Sequence, residues 1–147
     1  MNRNSLLILL LVSFTVFGVS TLIWAQSQSD VLVIANENLA LTSISIKEIN
    51  SIYLGKKSTL GNGIKVVPLA LNSGNAHEIF LKKFLKKSSS QFSTFWKQAI
   101  FTGQGIPPRS FPTEEEMIRV VAETPGAIGY ISADRTLEKG VKAIDVN

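Results

Sequence analysis

The stretch Thr124-Pro125-Gly126-Ala127-Ile128-Gly129-Tyr130-Ile131 leaves the chain few folding choices. Pro125 has no N–H and biases Thr124 away from helical dihedrals, so the amphipathic run that begins at Thr113 must end here. A strand follows. Gly126 and Gly129 let a neighbouring backbone approach closely, while Ile128, Tyr130 and Ile131 are residues that fill a buried sheet. A helix that stops at proline and returns as an apolar strand is a unit of layered α/β architecture.

The upstream sequence supplies layers for that strand. Val31 to Ala35 is a continuous apolar run of strand length, as expected where both faces of a sheet are covered. Ser45-Ile46-Lys47-Glu48 has the form of a capping box and predicts a helix from Ile46 to about Leu54, with Ile46, Ile49 and Tyr53 inward and Gly55 as its stop. After the turn Gly61-Asn62-Gly63, Ile64 to Leu71 reads as a strand. Pro68 predicts that this strand is an edge, or that its regular pairing begins after the proline.

Two helical stripes come next. His77, Phe80, Leu81, Phe84 and Leu85 lie at helical spacing, with Lys82, Lys83 and Lys86 on the solvated side. Ser88-Ser89-Ser90-Gln91 is a second box, opening a helix whose stripe is Phe92, Phe95, Trp96, Ala99 and Ile100. Thr102 to Arg109 is too rich in glycine and proline to be helical. Thr113-Glu114-Glu115-Glu116 starts a helix presenting Met117, Val120 and Val121, with its acidic first turn suited to the helix dipole. Ser132 to Gly140 reads as a polar link and Val141 to Val146 as a last short strand.

Residues 1–25 are set aside from the fold. Arg3 precedes the apolar run Leu6 to Val19, and Ile23 and Ala25 suit the third and last positions before a signal-peptidase cut. Cleavage after Ala25 is expected, giving an exported, periplasmic or secreted domain over residues 26–147. An intact mass beginning at Gln26 is the result that checks it, and a retained membrane anchor is the alternative. The chain has no cysteine, so hydrophobic burial rather than disulfides must hold it.

Charge and motif content exclude several function classes. The formal net charge of +4 is spread over several segments without basic and aromatic residues alternating on a strand, which argues against nucleic acid as a partner. One histidine and no supporting triad give no catalytic constellation, so no enzyme activity and no cofactor are expected. A lone imidazole on an apolar stripe is more simply a packed neutral residue than a metal ligand. Arg109, beside the glycine and proline loop, is either solvent-exposed or an anion contact.

Four segments, in order, carry a family resemblance: SIKEINSIYLGKKSTLGNGIKVVPLAL, Asn72 to His77, FWKQAIFTGQGIPPR and TPGAIGYI. Together they resemble the phosphate-binding periplasmic proteins of phosphate ABC transporters. The resemblance implies a single lobe of the type II periplasmic-binding-protein-like α/β fold, a small mixed sheet flanked by helices. It also implies a small oxyanion such as phosphate as ligand, and a membrane transporter or sensor as partner.

The candidate ligand-binding residues are Asn72, Ser73, Gly74, Asn75 and His77. A strand that runs through a glycine-containing loop into a helix start offers unpaired N–H groups and a positive dipole end. The family motif R-x-x-G-S-G-T falls on Leu71 to His77: Gly74 matches, Asn75 stands for the serine and His77 for the threonine, while Leu71 replaces the arginine. The same loop also reads as an ordinary helix start capped by Asn75. Two function classes follow, a solute-binding module of at most weak oxyanion affinity and a ligand-free interaction module docking on a membrane or periplasmic partner.

Overall fold

The computed structural model describes residues 30–61 and 63–147. The expected leader and its cut after Ala25 lie outside the described residues. The first strand, β1 (Val31–Asn36), is buried as its unbroken apolar sequence requires. After the short β2 (Ser43–Ile44) comes α1 (Ile46–Tyr53), entered through a complete capping box: Ser45 accepts from the Glu48 N–H and the Glu48 carboxylate accepts from the Ser45 N–H. Ile49, Ile52 and Tyr53 face the core, whereas Ile46, expected inward, is exposed. At the first helical position its side chain projects before the buried stripe begins.

β3 (Val67–Leu71) is shorter than the run from Ile64 suggested, because Leu60 and Ile64 close a turn first. It is not an edge. Pro68 lies opposite Ile128 on one side, and on the other side pairing begins at Leu69, one residue beyond the proline. α2 (Asn75–Phe80) continues without a break into one turn of π-helix, Leu81–Leu85, which ends at Lys86 in the left-handed region with φ of 56°. The stripe from His77 to Leu85 is buried as its spacing predicts, and Lys82, Lys83 and Lys86 are exposed.

α3 (Ser89–Phe101) begins with the second capping box, Ser88 with Gln91. Phe92, Trp96 and Ala99 are buried, but Ile100, expected in that stripe, is 56% exposed. The glycine and proline loop then yields a three-residue strand, β4 (Arg109–Phe111), and α4 (Glu114–Glu123) follows with Thr113 accepting from the Glu116 N–H. Thr124 leaves the helix with extended dihedrals, as Pro125 demands.

β5 (Ala127–Ser132) has its first five residues buried, and β6 (Val141–Ala143) and β7 (Asp145–Val146) divide the expected last strand. The five-stranded sheet has the order β4-β3-β5-β1-β6. β3 is parallel to β4 and β5, while β1 is antiparallel to β5 and β6. A parallel pair β2-β7 ties the C-terminal residues to the region before α1. α4 packs on β5 at Gly129, where an added Cβ would stand 2.8 Å from the Met117 sulfur. Asn36 joins the layers: its amide donates to the carbonyls of Val121 and Ala122 at 3.0 and 2.9 Å, satisfying groups at the end of α4.

Candidate anion-binding loop

Because β3, β4 and β5 are parallel, their C-terminal ends share one side of the sheet. The loop Asn72–Asn75 leaves β3 there. Asn72 continues the pairing by donating its N–H to the Phe111 carbonyl at 2.8 Å. Gly74 is the residue that caps α2, with φ of 101° and ψ of 170°, and no side chain caps the helix. Asn75, the expected cap, is the first residue of the helix. A residue with a Cβ is strained at such a φ, so the sharp entry into α2 is set by Gly74. Asn72, Ser73, Gly74 and Asn75 are all exposed, and no side-chain cap closes the helix start.

His77 lies one turn in and is buried. Its Nδ1 is 2.7 Å from the Tyr130 hydroxyl, and that hydroxyl accepts from the Leu71 N–H at 3.0 Å. The tyrosine has one proton to give, so a neutral imidazole accepting at Nδ1 completes the chain. Burial pushes the His77 pKa below its ordinary value of 6.5, outweighing the upward pull of Glu78. Tyr130 stacks on Phe80 with ring centroids 3.7 Å apart. Burial raises the pKa of Tyr130, and also that of Tyr53, whose hydroxyl lies 2.9 Å from the Leu69 carbonyl and 3.2 Å from that of Ile128. Two tyrosines thus bolt β3 to β5 beneath the loop.

The buried His77 has a measurable consequence. Its folded pKa is depressed, so the unfolded chain takes up the proton first as pH falls below about 6.5, and stability is lost in that direction. The slope contributed is at most about 1.4 kcal/mol per pH unit. Urea unfolding of wild type and His77→Gln at several pH values between 7 and about 5 should show a steeper decline for wild type. Parallel declines would mean that His77 titrates alike in both states.

Sequence reading missed the groups at the ends of β4 and β5. Glu114 opens α4, and its carboxylate accepts from the Ser132 N–H and hydroxyl at 3.2 and 2.7 Å and from Arg135 Nε at 3.1 Å. Arg135 also reaches Glu115, so this cation is already committed to carboxylates. A helix-start glutamate followed by Ser132 and Arg135 on the polar link was the only signal. Arg109 is exposed, with its guanidinium 4.9 Å from the Phe111 ring centroid. No Lys or Arg occurs between Lys65 and Lys82, so the loop sequence brings no cation of its own. Among the described residues no cluster of His, Cys, Asp or Glu is arranged to hold a metal, and no helix is long and apolar enough to cross a membrane.

No family model and no curated protein sequence matches the chain. Several solved structures do match. PstS from Borrelia burgdorferi aligns with a TM-score of 0.60 at 18% identity, over 80% of this chain and 47% of that one. A phosphate-bound structure described as a phosphate ABC transporter substrate-binding protein from Clostridium perfringens gives 0.60 at 16%, over 80% and 44%. An ABC-type phosphate transport receptor from Vibrio cholerae gives 0.52 at 16%, over 80% and 46%. At these identities the likeness is one of fold. This chain has the α/β architecture of a single periplasmic-binding-protein-like lobe, and it spans less than half the length of the structures it matches.

Proposed function

We propose that the chain is an exported solute-binding-protein-like module whose Asn72–His77 loop holds phosphate or a similar small oxyanion weakly. The observation that carries this reading is the start of α2 at the end of a parallel strand, without a side-chain cap and with the residues from Asn72 to Asn75 exposed. The fold shared with proteins described as phosphate-binding supports the same ligand class, and a membrane transporter or sensor is the partner it suggests. Leu71 and the absence of a cation in the loop set the strength. A helix dipole contributes about 0.3 to 2 kcal/mol, whereas micromolar affinity needs about 8 kcal/mol.

The expected dissociation constant for the monomer is therefore roughly millimolar or weaker. Isothermal titration with phosphate and with sulfate measures it. Asn75→Asp is the matched control, since an acidic residue suits the first helical turn but repels an anion, and it should abolish the heat. Micromolar binding, or binding that survives Asn75→Asp, would overturn the assignment. The second reading, an interaction module, is favoured by the apolar side chains left exposed at the far end of the lobe.

A further inference from the structure

Away from the anion loop, at the other end of β3, the lobe displays Phe101 at 91% exposure, Ile106 at 89% and Ile100 at 56%. These are protruding side chains. Ile106 shares a cleft with Lys56, Lys57 and Pro68, the last of which lies near the start of β3. Lys97 is exposed one helical turn before Phe101, on the same side of α3. Every charged residue between Glu78 and Glu114 is basic, and the same holds between Glu48 and Glu78. Lys56, Lys57 and Lys97 therefore accompany the apolar tips, and the acidic group that acts on one of them is Glu48, near Lys57.

We infer that this end of the lobe is a docking surface for an anionic lipid bilayer, with Phe101 and Ile106 entering the headgroup layer and Lys56, Lys57 and Lys97 meeting lipid phosphates. Three features select a bilayer over a protein. Protein interfaces are depleted in lysine, yet lysine supplies the charge here. Long lysine stems lie along apolar surface while their ammonium groups stay at the polar boundary, the arrangement an interfacial layer accommodates. Apolar tips that are 89 to 91% exposed suit a soft, deformable layer that can close around them. The inference is independent of anion binding. It orients the lobe, because the Asn72–Asn75 loop leaves the opposite end of β3 and so faces away from the lipid.

The absence of cysteine allows a local test on the full chain. Gln104→Cys, between the two apolar tips, and Asp134→Cys, just beyond the C-terminal end of β5 and so at the opposite end of the sheet, are each labelled with an environment-sensitive fluorophore. Both positions are exposed. They are compared within otherwise identical chains, so contributions from residues 1–29 cancel. On vesicles of phosphatidylcholine and phosphatidylglycerol in equal parts, the label at 104 should shift to the blue and the label at 134 should not. Pure phosphatidylcholine should give a much smaller response, and added salt should weaken the anionic one. Lys56→Gln with Lys57→Gln should require about thirtyfold more anionic lipid, and Phe101→Ser with Ile106→Ser should remove the blue shift. An unchanged label at 104, an equal shift at 134, or an equal response on both vesicle types would overturn the proposal, the first outcome leaving the surface to a protein partner.

Discussion

Gly126→Val should lower the urea unfolding midpoint further than either Gly129→Ala or Tyr130→Phe. Gly126 has φ of +79°, and a Cβ built on it would lie 2.8 Å from the Lys65 carbonyl oxygen. The obstacle is backbone, and that backbone is held: Val67, two residues on, donates its N–H to the Gly126 carbonyl at 2.8 Å. Strain at a positive φ costs about 1 to 3 kcal/mol, and forcing a side chain into a packed site adds about 1 to 3 kcal/mol. Their sum is a large fraction of the roughly 5 to 15 kcal/mol that holds a domain together. Gly129→Ala is the instructive comparison. Its nearest obstacle is the Met117 sulfur, the end of a flexible side chain, and its φ is not positive, so the loss should be smaller. A reversed order would show that the return after Pro125 relaxes more readily than the α4 packing does.

Tyr130→Phe should be the second most damaging change, although it removes a single oxygen. That oxygen accepts from Leu71 and lies 2.7 Å from His77 Nδ1, so its loss leaves two buried polar groups without partners. Each such orphan costs about 1 to 3 kcal/mol, so the two together cost about 2 to 6 kcal/mol, the upper part being reached only if neither group finds water. Tyr53→Phe removes a donor to two carbonyls and orphans no N–H group. It should cost about 1 kcal/mol, the value of an ordinary hydrogen bond. Equal midpoints for the two variants, measured by urea unfolding, would show that water or a tautomer change repairs the Tyr130 site.

Much of this architecture was legible in local sequence, because local signals fix local structure. Ser45 with Glu48 and Ser88 with Gln91 form the reciprocal caps their spacing demands, and Pro125 ends α4 as its missing N–H requires. The π turn at Leu81–Leu85 was not legible, since its apolar residues still satisfy helical spacing and only Lys86 in the left-handed region marks the change. β4 escaped notice because Arg109 and Ser110 have no strand pattern, and the pairing with β3 alone makes them one. Ile100 misled in the opposite sense: it has the periodicity of a core residue at a helix end where the core has stopped. In the candidate site, the loop was visible through its glycine. The contact between His77 and Tyr130 was not, because it joins residues 53 positions apart. A still longer separation, 85 positions, hid the reach of Asn36 to α4.

The position of β1 in the sheet also sets the timetable of folding. It is the first strand of the described chain, yet both of its neighbours come near the end: Val31 pairs with Ser132, and Asn36 with Val141. A polypeptide delivered N-terminus first holds this apolar segment with both edges open until residues 127–143 have emerged. Helices α1 to α4 can form on the way, being built from near neighbours, but the sheet that they cover closes late. Such long loop closures are slow, since their entropy must be spent before any contact repays it. The five-stranded sheet therefore cannot close around β1 before residues 127–143 are present, and until then its apolar strand depends on contacts outside its own sheet.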